Sequence, residues 1–107
     1  MRVLFDQGTP VPLRLVLTGH SVSTAYELGW STLHNGELLA KAESQFDAFI
    51  TTDKSLFYQQ NLTGRSLAIL VLPYASWPRL SGHVATIAAA VNALQPGDFV
   101  QLVLDSP

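Results

Sequence analysis

The sequence predicts an α/β protein: a three-layer α/β/α arrangement built on a mostly parallel, five-stranded sheet. Three observations predict it. Short apolar runs of strand-forming residues alternate with stretches of helical periodicity along the whole chain. One run, Leu67 to Leu72, is apolar without alternation, as in a strand covered on both faces. Two other runs, Val3-Leu4-Phe5 and Ala48 to Thr52, stop abruptly on Asp6 and Asp53. An open α/β sheet collects its ligands just past such strand ends.

At 107 residues the chain fits one domain, taken as 1–107, large enough to bury roughly two thirds of its unfolded surface. Hydrophobic residues at 48% and charged ones at 13% describe a packed chain rather than a disordered one. Six Lys and Arg against eight Asp and Glu argue against a broad basic nucleic-acid face, though not against a local groove. The absence of cysteine removes disulfides, thiolate zinc sites and cysteine nucleophiles together. No apolar run approaches the ~18 residues that span a membrane, and the start is too short for a signal peptide. A cytoplasmic protein is therefore expected. Asn61-Leu62-Thr63 is a glycosylation sequon without weight in that setting.

The elements follow in order. After the first strand, Thr9 is placed to cap a helix whose first turn accepts Pro10 and Pro12. Leu13, Val16 and Leu17 share one face of it, and Thr18-Gly19 ends it. His20 to Ala25 alternates as a second strand, and Ala25 to Leu28 reads as a short helical piece stopped by Gly29. Asn35 is placed as the N-cap of a helix through about Ser44, with Leu38, Leu39 and Ala42 inward. Ala48 to Thr52 is strand three, and Ser55 to Gln60 a short helix followed by a loop from Asn61 to Arg65. Leu67 to Leu72 is a central strand four. Trp77-Pro78 opens the longest helix, carrying Leu80, Val84, Ile87, Val91 and Leu94 at stripe spacing. Phe99 to Leu104 is the last strand, with a loose tail from Asp105. Right-handed crossovers favour the strand order 2-1-3-4-5. In that order strands one and three are neighbours, and Asp6 sits beside Asp53.

Paired aspartates at one sheet edge suggest a divalent metal site, because Mg²⁺ is held by one or a few carboxylates plus water. Taken singly, each reads equally well as a helix cap. Glu37 is the third candidate, although a first-turn Glu is also favoured by the helix dipole alone. Glu27, Glu43 and Asp47 are poorer candidates, beside solvated faces or at a strand entrance. Around the mouth stand Gln7, Asn35, Thr51, Thr52, Lys54, Tyr58 and Asn61. Of these, Lys54, Thr52, Gln7 and Asn35 form the expected substrate-binding set. Arg65 and Arg79 are candidate phosphate contacts whose ordinary role is surface solvation. The three histidines lack ligand spacing, and there is neither a nucleophile elbow nor a glycine-rich phosphate loop.

With these residues in view, the chain resembles the small bacterial PIN-like domains, relatives of VapC-type toxin ribonucleases. The resemblance is carried by Leu4-Phe5-Asp6-Gln7-Gly8-Thr9-Pro10, Gly19-His20-Ser21-Val22, Asn35-Gly36-Glu37-Leu38-Leu39 and Thr51-Thr52-Asp53-Lys54, and runs to about residue 72. It implies Mg²⁺ or Mn²⁺ held by Asp6, Glu37 and Asp53, with RNA phosphodiesters as substrate. It also implies a homodimer and, for a toxin, a small antitoxin protein that occludes the mouth. The chain departs from the family pattern in having no carboxylate between Asp53 and Asp98 for a second metal, and it is shorter than the toxin nucleases.

Three alternative readings compete with this one. A receiver-like phosphoacceptor is disfavoured because Gln7, not a second acid, follows Asp6 and the last strand has no lysine. A haloacid-dehalogenase-type phosphatase is disfavoured because Gly8 stands where that motif carries its second aspartate. The remaining alternative is a non-catalytic PIN-like binding module whose acidic mouth contacts a protein.

Overall fold

The computed structural model describes residues 1–56 and 64–104. Tyr58, Asn61, most of the helix expected at Ser55 to Gln60, most of the loop after it and the tail from Asp105 lie outside the described residues.

Side chains along a strand point alternately to its two faces, and here both faces are covered. In β1 (Arg2–Phe5), Val3 and Phe5 pack with Leu13, Leu17, Leu80, Ile87 and Val91 on one side of the sheet. Leu4 packs on the other side with Leu38, Leu39 and Ala42. The same division runs through β3 (Ala48–Thr51) and β4 (Ala68–Val71), where every residue is buried. Ile50 and Leu70 join the first cluster, while Phe49, Ile69 and Val71 join the second. Burial on two faces explains why these strands read as unbroken apolar runs. Each fully buried Leu, Ile or Phe contributes about 1.5–3 kcal/mol relative to exposure.

The sheet is entirely parallel, in the order β2-β1-β3-β4-β5, with β2 at Ser21–Thr24 and β5 at Phe99–Gln101. Its register sets Phe5 opposite both Thr24 and Ile50, and Thr51 opposite Val71. The helix α1 (Asn35–Gln45) covers one face through Leu38, Leu39 and Ala42. A 3-10 segment (Val11–Leu15), α2 (Trp77–Leu80) and α3 (Val84–Asn92) cover the other. This is the three-layer α/β/α arrangement expected from the sequence.

Several local expectations are corrected. Thr9 is not a helix cap. Pro10 precedes the 3-10 segment, and the buried Thr9 side chain turns toward the sheet. His34, not Asn35, stands at the N-cap of α1, and Asn35 is its first residue. Ala25 to Leu28 forms a turn rather than a helix, closed by Gly29 in the left-handed region at φ 75° that favours glycine. The expected longest helix is broken into α2, a 3-10 turn at Ser81–His83 and α3, with Gly82 at the break. The last strand stops at Gln101, three residues before its expected end at Leu104.

The amino end of the sheet is held by charge. Asp47 accepts the Arg2 amide at 2.7 Å and pairs with its guanidinium at 3.4 Å. Glu43 accepts the Ser66 amide and hydroxyl and the Leu67 amide, tying α1 to the entrance of β4. Burial pushes the Glu43 carboxyl up, but these three bonds and the nearby Arg65 charge outweigh it and hold the carboxyl below its usual value. Among the described residues no helix is long and apolar enough to cross a membrane.

Candidate functional site

Asp6 extends β1 by one residue, its amide donating to the Ile50 carbonyl at 3.1 Å. Beyond it the chain turns at once, with the Thr9 amide returning to the Asp6 carbonyl at 3.2 Å. That turn brings the Thr9 hydroxyl to 2.6 Å from Asp6 Oδ1 and 2.9 Å from the Ile50 carbonyl, so one proton is shared between two acceptors. The other carboxylate oxygen, Oδ2, accepts the Thr51 hydroxyl. Thr51 is 1% exposed, and its oxygen also accepts the Asp53 amide at 3.0 Å. The two acidic strand ends are thus joined through one buried hydroxyl.

Asp53 is held from the opposite side. Asn35 Nδ2 donates to its Oδ2 at 2.9 Å, across from the first turn of α1. Its Oδ1 accepts the Ser55 amide at 3.0 Å and the Ser55 hydroxyl at 2.6 Å, the bonds of a capping aspartate. The Ser55 hydroxyl bond is the largest influence on its charge. With Asn35 and the Ser55 amide, it overcomes burial and holds the carboxyl below its ordinary 3.8. Asp53 is therefore ionised at neutral pH.

The other expected site residues are distributed unevenly. Glu37 lies in the first turn of α1 with its side chain exposed. Among the described residues, no three of His, Asp and Glu assemble into a group that could hold a metal ion. Gln7 and Asn35 border a small cavity of about 130 Å³ between Asp6, Trp30 and Leu33. Thr52 packs against Gly8 so closely that a Cβ there would stand 2.9 Å from Thr52 Oγ1. Lys54 is exposed and borders a different cavity, of about 360 Å³, beside Pro73 and the segment after β5.

Sequence reasoning undervalued Glu27 and did not single out Arg14. Glu27 Oε1 accepts the Thr24 amide at 2.9 Å, and the Glu27 amide donates to Thr24 Oγ1 at 3.1 Å. This is the reciprocal pairing that a Thr-x-x-Glu spacing signals, so Thr24-Ala25-Tyr26-Glu27 carried the clue. Both Glu27 oxygens also accept the Arg14 guanidinium. Its hydrogen bond, followed by that of the Thr24 amide, lowers the Glu27 pKa.

Chemically, Asp6 and Asp53 offer carboxylate oxygens at neighbouring strand ends. All four of these oxygens accept hydrogen bonds, and neither carboxylate is committed to a basic side chain among the described bonds. In searches against protein-family models, curated proteins and solved structures, the chain matches none significantly.

Proposed function

We propose that this protein is a Mg²⁺- or Mn²⁺-dependent ribonuclease of the PIN-like class, working in the cytoplasm. The observation that carries the reading is the meeting of Asp6 and Asp53 at the carboxyl ends of adjacent strands, joined through Thr51. In this reading Asp6 and Asp53 hold the cation, and Glu37 approaches it through water from the first turn of α1. When bound, the cation supplies water activation and offsets charge at the phosphodiester.

The chain's own residues do the rest. Thr51 and Thr9 fix the Asp6 carboxylate, so it need not reorganise on binding. Ser55 and Asn35 keep Asp53 ionised. Gln7, Asn35 and Thr52 offer hydrogen bonds to the ribose–phosphate backbone, and Lys54 meets a phosphate further along the strand. As a toxin, the protein would self-associate and be silenced by a small antitoxin covering this mouth.

A second reading, a PIN-like binding module without catalysis, is favoured by one observation. Both aspartates are already engaged in ordering their own loops, and no three-acid group forms among the described residues. Calorimetry with Mn²⁺ followed by an RNA-cleavage assay separates the two. The nuclease binds Mn²⁺, loses that binding in Asp53→Ala, and cuts RNA in a reaction abolished by Asp6→Asn. Absence of Mn²⁺ uptake, or cleavage that survives Asp6→Asn, removes the nuclease reading.

A further inference from the structure

The two outer strands of the sheet are finished differently. At the end of β2 the outward backbone groups of Thr24 are closed by its own turn: the amide donates to Glu27 Oε1 at 2.9 Å, and the carbonyl accepts the Leu28 amide at 3.2 Å. β5 has no such closure. The Asp98 carbonyl accepts the Ile69 amide at 2.8 Å and the Leu102 amide donates to the Val71 carbonyl at 2.9 Å, so residues 98, 100 and 102 turn their backbone groups toward β4. Alternate residues of a strand direct these groups to opposite sides. The amides and carbonyls of Gln101 and Val103 therefore point away from the sheet, and neither residue makes a hydrogen bond on that side among the described residues.

We propose that this edge pairs with the same edge of a second copy of the chain, antiparallel about a two-fold axis at Leu102, so that two sheets join into one. The proposal names a surface for self-association and does not rest on the ribonuclease reading. Sheet edges that must stay single are usually blunted by lysine, proline or a bulge. From Phe99 to Leu104 there is no charged residue and no proline. Asp98, just before, is turned back on the Gln95 amide at 2.9 Å. Burial also keeps alternating past Gln101, with Leu102 half-buried, Val103 82% exposed and Leu104 buried.

The strand itself specifies its occupant. Val100, Leu102 and Leu104 belong to the core cluster on one face of the sheet, so a strand that lengthens this face must be uncharged and apolar at alternate positions. The same segment of a second copy meets both conditions. About the axis Leu102 stands opposite Leu102 and Leu104 opposite Val100, while the exposed Val103 is covered by Gln101. The outward amide and carbonyl of Gln101 meet the carbonyl and amide of the partner's Val103, and the reverse pair forms by symmetry, as an isologous interface requires. Because the paired strands run in opposite directions, the two acidic mouths lie on opposite rims of the joined sheet and neither covers the other.

The test is sedimentation of the full chain from about 1 μM to about 1 mM, the range of small interfaces, with amide hydrogen exchange read at both ends of it. A monomer–dimer equilibrium is expected, with the Gln101 and Val103 amides gaining protection only where the dimer is populated. Val103→Pro deletes an outward donor without touching a bond to β4 and should abolish the dimer, whereas Val103→Thr should keep it. Val103→Lys, safe for folding at so exposed a position, should weaken the dimer by about tenfold or more. Tyr26→Lys, at the opposite edge, should leave it unchanged. Circular dichroism and persisting protection of the Leu102 amide verify that each variant is folded.

A chain that stays monomeric to the top of the range overturns the proposal. So does a dimer that survives both Val103→Pro and Val103→Lys, or one that Tyr26→Lys disrupts. Protection of Gln101 and Val103 in the monomer would mean that another part of the same chain covers the edge, which overturns it as well.

Discussion

The Thr51 hydroxyl donates to Asp6 across the boundary between β3 and β1, and the same oxygen receives the Asp53 amide. Thr51→Val keeps the shape of the side chain but leaves a carboxylate oxygen and an amide without this partner. Urea unfolding should show a loss of about 1–3 kcal/mol. Thr51→Ser keeps the hydroxyl and should recover most of it. If valine unfolds at the wild-type midpoint, the shared hydroxyl does not hold the strand ends.

Asp53 predicts a pH dependence of defined sign. Its folded pKa lies below 3.8, so its ionisation adds stability that is complete above that value and is lost as pH falls through the folded pKa. Wild type should therefore exceed Asp53→Asn in stability by most near neutrality, with the difference shrinking in acid. NMR titration of the Asp53 carboxyl in Asn35→Ala should show its pKa rising toward 3.8, since one of the bonds that favour the charged form is gone.

Gly8 and Thr52 should couple. A Cβ at residue 8 would meet Thr52 Oγ1 at 2.9 Å, closer than such atoms approach, so Gly8→Ala must displace Thr52 or its own loop. Thr52→Ala removes the obstructing oxygen. In a double-mutant cycle the second change should relieve part of the first, with an interaction energy of about 0.5–3 kcal/mol. Strict additivity would mean that the loop shifts freely.

Glu43 should govern the entrance to β4. Glu43→Ala removes the acceptor of the Ser66 and Leu67 amides. Hydrogen exchange at those two amides should accelerate, while amides within β3 keep their protection. The global cost should be modest, about 1 kcal/mol, because the bonds to Ser66 are solvent-exposed. Exchange unaltered at Leu67 would rule out the tie.

The sheet was legible because its signals are local. Unbroken apolar runs in β3 and β4 mark strands buried on both faces, and alternation with helices marks parallel pairing, from which the strand order and the adjacency of Asp6 and Asp53 follow. The side-chain roles were less legible because they depend on distant partners. Thr9 had the spacing of a helix cap, yet its hydroxyl is drawn to a carbonyl 41 residues away. Asn35 likewise looked like a cap and instead reaches Asp53, 18 residues on. The long helix failed differently: its apolar stripe continues across Ser81-Gly82-His83, but glycine lowers the helical preference locally and the turn tightens there. Arg14 carried no local sign at all, since its partner Glu27 lies across the end of β2.

The charged staples and the paired aspartates occupy opposite rims of the same sheet, separated by the full length of its strands. Changes at one rim therefore act far from the other. A thermostability programme confined to Arg2, Glu43, Asp47 and their neighbours would leave the mouth untouched, whereas redesign of the mouth would also spend the stability that Thr51 and Asp53 supply.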